Sequence, residues 1–144
     1  MENSNHFNVI VIGAGISGIG AGYYLKKNCP NKSFCIIEGR ENIGGTWDLF
    51  KYPGIRSDSD MFTLGYAFKP WKEQKTIANG PSILSYLEET VEENNLREKI
   101  KFSHKVLSAN WNSAERNWEV RAAHHEQEIL LTANFLFMGT GYYN

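Results

Sequence analysis

The chain has 144 residues, long enough for one domain with a core of its own. Hydrophobic residues make up 42% and charged residues 22%, and the formal net charge is −1 with Lys and Arg scattered, so no global field gathers nucleic acid or an anionic membrane. Two cysteines (Cys29, Cys35) outside any C-x-x-C pair and four histidines (His6, His104, His124, His125) without ligand spacing exclude a structural metal site. No apolar run reaches the ~18–20 residues of a membrane span.

Residues 1–8 are polar and lack an apolar h-region, so no signal peptide is expected, and reduced thiols in a cytoplasmic protein are the reading of the cysteines. Residues 7–12 (FNVIVI) form a continuous, β-branched apolar run that predicts a strand buried on both faces of a parallel sheet. Residues 13–18 (GAGISG) follow as a tight loop. Residues 16–28 read as a helix with Ile16, Ile19, Tyr23 and Leu25 inward, Lys26 and Lys27 near its negative end, and Pro30 as its stop. Residues 33–38 (SFCIIE) are a second buried strand, which completes a βαβ unit.

Residues 39–75 show no sustained period. Their aromatic content argues for ordered chain lining a site, with at most short helical turns. Residues 81–94 predict a second helix, with Pro81 in its first turn, Ile83, Leu84, Leu87 and Val91 inward, and Glu88, Glu89, Glu92 and Glu93 on the wet face. Residues 100–111, 118–123 and 128–131 then read as a three-stranded antiparallel meander, with a solvated turn at His124 and His125. Residues 133–138 (ANFLFM) predict one more buried strand, ending at Gly139-Thr140-Gly141. The fold class expected is α/β: a Rossmann-like βαβ unit with a parallel sheet and an inserted antiparallel β-meander. A strand that feeds a glycine turn ordinarily continues, so the sequence reads as a fragment.

The glycines carry the first chemistry. G-x-G-x-x-G alone is a weak signal, but here a buried strand precedes it and a helix follows. Gly13 allows the turn, Gly15 lets a pyrophosphate approach the backbone, and Gly18 lets helix and strand pack closely. The helix start offers N–H groups and positive dipole to phosphates. Glu38 lies 20 residues past Gly18 at the tip of the second strand, where a carboxylate holds ribose hydroxyls. It would repel a 2′-phosphate, which leaves FAD and NAD as candidates for this site. Arg40 reads as a solvated arginine. What separates FAD from NAD is the next stretch. A simple NAD domain goes on to another helix–strand repeat, whereas here residues 44–48 (GGTWD) and 52–60 (YPGIRSDSD) intervene.

Together, GAGISG, Glu38, GGTWD, YPGIRSDSD, the Trp118 meander and the GTGYYN end resemble the class B flavin monooxygenases, and within them the Baeyer–Villiger type, most like the bacterial ethionamide-activating kind. The resemblance runs from Val9 to the end of the chain; GGTW followed by YPG-x-R-x-D is its specific part. It implies that Gly13, Gly15, Ser17 and Gly18 hold the FAD pyrophosphate and Glu38 the adenosine ribose. Thr46 and Trp47 would lie beside the flavin, with Asp48 of the same motif also at the cofactor. Val106 would meet adenine through its backbone, and Gly139 and Gly141 would mark the return of the chain to FAD. Arg56 would meet NADPH. Asp58, the one catalytic position, would set the family's catalytic arginine. Trp47 has an alternative reading as core, and Asp58 as a turn or helix-cap residue.

The activity implied is FAD- and NADPH-dependent insertion of one oxygen atom from O₂ into a ketone, or onto sulfur. An N- or S-oxygenating flavin monooxygenase and a non-catalytic FAD-binding fragment remain open. Residues 1–144 would be the first part of an FAD-binding domain, with the NADPH unit, the family fingerprint and the catalytic arginine beyond them. On that reading the fragment alone is inactive. The partners implied are a small ketone or sulfide and O₂, with no nucleic acid, metal or membrane.

Overall fold

The computed structural model describes residues 5–143; residues 1–4 of the polar opening and Asn144, the last of GTGYYN, lie outside the described residues. At its centre is β1 (His6–Ile12), whose side chains alternate between two buried faces. Val9 and Val11 pack into one hydrophobic cluster, Ile10 and Ile12 into another. Next to β1 runs β2 (Phe34–Ile37), parallel, with Val9 opposite Phe34 and Ile12 opposite Ile37. The helix α1 (Ile16–Asn28) joins them over the span its sequence predicts.

The buried side of α1 differs from the expectation. Ile19 is fully buried, but its companions inward are Gly18, Gly20 and Gly22, while Ile16, Tyr23 and Leu25 are only partly covered. The cause is distance: a Cβ on Gly22 would stand 2.8 Å from Ile36 Cδ1, so the helix lies too near the sheet for side chains there.

A second long helix covers the same face. Two short helices precede it, α2 (Thr46–Leu49) and α3 (Met61–Leu64), the latter capped by the Asp60 carboxylate accepting from Thr63 N–H at 3.0 Å. α4 (Gly80–Glu93) begins at Asn79, whose side chain accepts from Ser82 N–H at 2.8 Å. Ile83, Leu87 and Val91 are fully buried. The glutamates of its outer face carry ion pairs, Glu89 and Glu93 with Lys69, Glu88 and Glu92 with Arg97.

The long irregular stretch is ordered by aromatic packing, as expected. Tyr23, Phe68 and Tyr66 stack in a row. Tyr86 of α4 accepts from the Tyr66 N–H and donates to the Lys69 carbonyl. Trp71 and Met61 complete the core beneath it.

The β region requires three corrections. The run beginning at Ile100 is broken by Phe102 and Ser103, the latter at φ +56°, into β3 (Ile100–Lys101), parallel to β2, and β4 (His104–Asn112). The third meander strand and the last strand are one continuous strand, β6 (Gln127–Met138). Its first half pairs antiparallel with β5 (Asn117–His124), and its second half pairs parallel with β1. Thr132 lacks the turn chemistry that would break the chain, so the two predicted strands fuse. The order of the six strands is β3-β2-β1-β6-β5-β4. β6 is also not buried throughout: Phe135 and Phe137, beside Val9 and Val11, stand 70% and 43% exposed, since no described helix covers β6 on the α1 side.

Candidate functional site

At the C-terminal ends of β1, β2 and β6 four turns converge on a cleft of about 310 Å³. The first turn is Gly13 to Ser17. Gly13 has φ +100° and its N–H donates to Ile37 O. α1 then starts at Gly15 with no side-chain cap, so its first N–H groups have no partner inside the helix. That leaves donors and the positive end of the helix dipole facing an anion.

The second turn is at the tip of β2. Glu38 is 6% exposed, and its carboxylate accepts from Ala14 N–H and Arg40 N–H, both at 2.9 Å. Each oxygen therefore spends one acceptor position on the protein and retains capacity for a hydroxyl. Arg40 is not the solvated residue expected. It lines the cleft, donates from Nη2 to Gly45 O at 3.0 Å, and holds Nε 3.6 Å from Glu38 Oε1. Residues close in sequence could not show this contact, because it depends on the Gly44–Gly45 turn folding back.

That turn is the third wall. Gly44 and Gly45 have φ +117° and +56°, and Gly44 N–H donates to Ala14 O. A Cβ on Gly45 would come within 3.0 Å of Gly15 Cα, so the two glycine turns nearly touch. Thr46 and Trp47 of α2 extend the wall, Val106, His104 and Lys105 close the β2 end, and Gly139 to Gly141 close the far side. Burial, and a neighbouring His124 ring stacked at 4.1 Å, lower the His104 pKa against the opposing Phe102 carbonyl.

Of the residues singled out from sequence, Gly13, Gly15, Ser17, Glu38, Thr46, Trp47, Val106, Gly139 and Gly141 all line this cleft. Gly18 and Asp48 do not. Gly18 packs behind the wall against Gly13, and Asp48 lies in α2 with Lys51 3.5 Å away. Arg56 and Asp58, both exposed, line an adjoining hollow with Thr46, Trp47, Phe50, Tyr52, Ile55 and Tyr143; Thr46 and Trp47 belong to both spaces. The reading from sequence missed Gly39, Arg40, His104 and Lys105 as lining residues. Only Arg40, two residues past the acid, carried a signal for it.

The geometry suits a long, doubly charged ligand with sugars: a carboxylate for hydroxyls at one end, uncapped amides and closely approached glycines in the middle, and an indole with an adjoining hollow at the other. Among the described residues no cluster of His, Cys, Asp and Glu could hold a metal ion, and no helix is long and apolar enough to cross a membrane.

Residues 11–73 match the NAD(P)-binding Rossmann-like domain. The chain is 52% identical to the FAD-containing monooxygenase EthA of Mycolicibacterium smegmatis over 141 residues, 98% of this chain and 29% of that protein. It is 52% identical to the probable FAD-binding monooxygenase AlmA of Acinetobacter baylyi over 141 residues, 96% of this chain and 28% of that protein. Among solved structures, a closed cyclohexanone monooxygenase superposes with a TM-score of 0.84 at 30% identity, covering 96% of this chain and 26% of the other. An oxidized steroid monooxygenase bound to NADP superposes with a TM-score of 0.85 at 29% identity, covering 94% and 26%. The chain thus spans under a third of the length of the relatives it matches.

Proposed function

We propose that this chain, similar over nearly its whole length to FAD-containing and Baeyer–Villiger monooxygenases, is part of such an enzyme, and that its cleft is the FAD site of an NADPH-dependent monooxygenase acting on a small ketone or sulfide. One observation carries the proposal: the uncapped start of α1, the Glu38 tip of β2 and the Gly44–Gly45 turn open onto a single cleft. FAD fits these residues. The amides after Gly13 and the close glycine backbones would take its diphosphate, Glu38 its adenosine ribose, Val106 its adenine, and Thr46 and Trp47 its flavin end.

When bound, FAD supplies the redox chemistry by which electrons from NADPH activate O₂. The chain's own residues bind and orient it. Ser17 presents its amide at the helix start, Gly139 and Gly141 close the cleft beside Gly13, and Trp47 screens the flavin end from water. Asp58 and Arg56, on the other side of Trp47, would face a nicotinamide cofactor and a catalytic arginine supplied from outside this segment. The role read for this chain is thus to hold and orient the cofactor in a cytoplasmic monooxygenase.

A spectrum of the purified chain tests the proposal. After incubation with FAD and desalting, bound flavin absorbance is expected, with no NADPH oxidation. A longer protein containing this segment is expected to oxidise NADPH in the presence of a cyclic ketone or a sulfide. Loss of all flavin on desalting, or no NADPH oxidation by the longer protein with either substrate class, would overturn it.

A further inference from the structure

We infer that Arg40 is a binding residue for the adenosine ribose–diphosphate stretch of the cofactor; the inference rests on the FAD reading above. Arg40 occupies a middle position between two elements of the cleft. Through Nε it lies 3.6 Å from the Glu38 carboxylate, and through Nη2 it donates to the Gly45 carbonyl at 3.0 Å. Glu38 is at the sugar end, and Gly45 nearly touches Gly15 at the phosphate-binding turn.

The guanidinium is not fully used. Nη1 is buried and finds no acceptor among the described residues, while the side chain as a whole is 35% exposed and lines the cleft. A guanidinium has five N–H donors in a rigid fork, and a buried donor left without an acceptor is unfavourable. Turned toward the cleft, Nη1 would find acceptors in the phosphate and ribose oxygens of the ligand. The fork geometry suits a phosphate oxygen, and the charge offsets the diphosphate where Glu38 alone would repel it. Lys105, beside Gly39 at the same end of the cleft, is exposed and shows no such fixed attachment among the described residues.

The full chain and its Arg40→Met and Arg40→Lys variants are titrated with FAD, ADP and FMN by calorimetry, and the ligand-free melting point of each is recorded. Arg40→Met is expected to weaken both FAD and ADP on the order of tenfold or more. Its FMN affinity and ligand-free melting point are expected to stay near those of the parent chain. Arg40→Lys is expected to fall between, since it keeps the charge and loses the fork. Equal FAD and ADP affinities in all three proteins overturn the inference and leave the FAD site standing. Equal losses for FMN and ADP, with a fallen melting point, also overturn it, because a strut that only shapes the turn behaves that way. Should Arg40→Met fail to fold, Arg40→Lys decides, and parental ADP affinity there counts against the inference. A parent chain that binds ADP but not FAD fails the FAD reading while still testing Arg40 on ADP; one that binds neither fails both.

Discussion

A Cβ built on Gly18 would stand 1.8 Å from the carbonyl oxygen of Gly13. The obstacle is backbone, so no side-chain rotation relieves it. Gly139 belongs to the same knot: a Cβ on Gly13 would lie 2.6 Å from Gly139 O, and one on Gly139 would lie 3.3 Å from Gly18 N. Three glycines, two from the first loop and one 121 residues past Gly18, therefore fix the ends of β1 and β6 against the start of α1. Gly18→Ala is expected to cost at least about 1–3 kcal/mol, as overpacking does, or more because the backbone must move. The melting temperature falls by several degrees, at roughly 2–4 °C per kcal/mol. A variant melting with the parent chain would show that the turn can open freely.

Glu38 has a structural task besides its proposed ligand. Its two oxygens take the Ala14 and Arg40 amides at 2.9 Å each. In Glu38→Gln one oxygen becomes an NH₂, so one of those N–H groups loses its acceptor. The expected cost is about 1–3 kcal/mol, together with weaker ADP and FAD binding. Thermal melting with and without ADP separates the two effects; a variant unchanged in both respects would contradict the role given to the acid.

Tyr86 ties the irregular stretch to α4 by a hydroxyl that accepts from Tyr66 N–H at 2.7 Å and donates to Lys69 O at 2.6 Å. Tyr66 in turn donates to Ile16 O in the first turn of α1, with its ring against Gly20. Burial raises the pKa of both phenols, so both remain neutral donors through the physiological range. Tyr86→Phe leaves an amide and a carbonyl without partners and is expected to destabilise by about 1–3 kcal/mol, more than Tyr66→Phe, which removes one bond. Urea midpoints of the two variants check the order, and the reverse order would contradict it.

Burial pushes the Cys35 thiol up from 9.0 to about 12, against an opposing pull from Lys101. The folded state thus holds the proton more tightly than the unfolded state. The stability gained is complete below about pH 9 and is lost as pH rises from there toward 12. Cys35 is expected to resist thiol reagents at pH 8 in the native chain and to react on unfolding. Cys35→Ala is expected to flatten the alkaline fall in urea midpoint. Rapid native labelling of Cys35 would contradict its burial.

The parts legible in the sequence are those fixed by local chemistry. Residues 16–28 form the helix expected because the glycine loop starts it and Pro30 stops it. The glycines and Glu38 line or frame one cleft because the βαβ connection leaves little freedom. What could not be read depends on distant partners. The fusion of residues 127–138 into one strand depends on two neighbours, β5 and β1, that come from opposite ends of the chain. The half-burial of Arg40 depends on Gly45 returning to meet it. Asp48 shared a motif with Thr46 and Trp47, yet a helical turn carries it away from the cleft that they line.

The most direct measurement is a titration of the chain with FAD, followed by quenching of flavin fluorescence, with ADP as competitor. Saturation at one FAD per chain, with ADP displacing it, is the predicted result. Binding that does not saturate, or that ADP leaves untouched, would contradict the assignment of the cleft between the two glycine turns to a flavin dinucleotide.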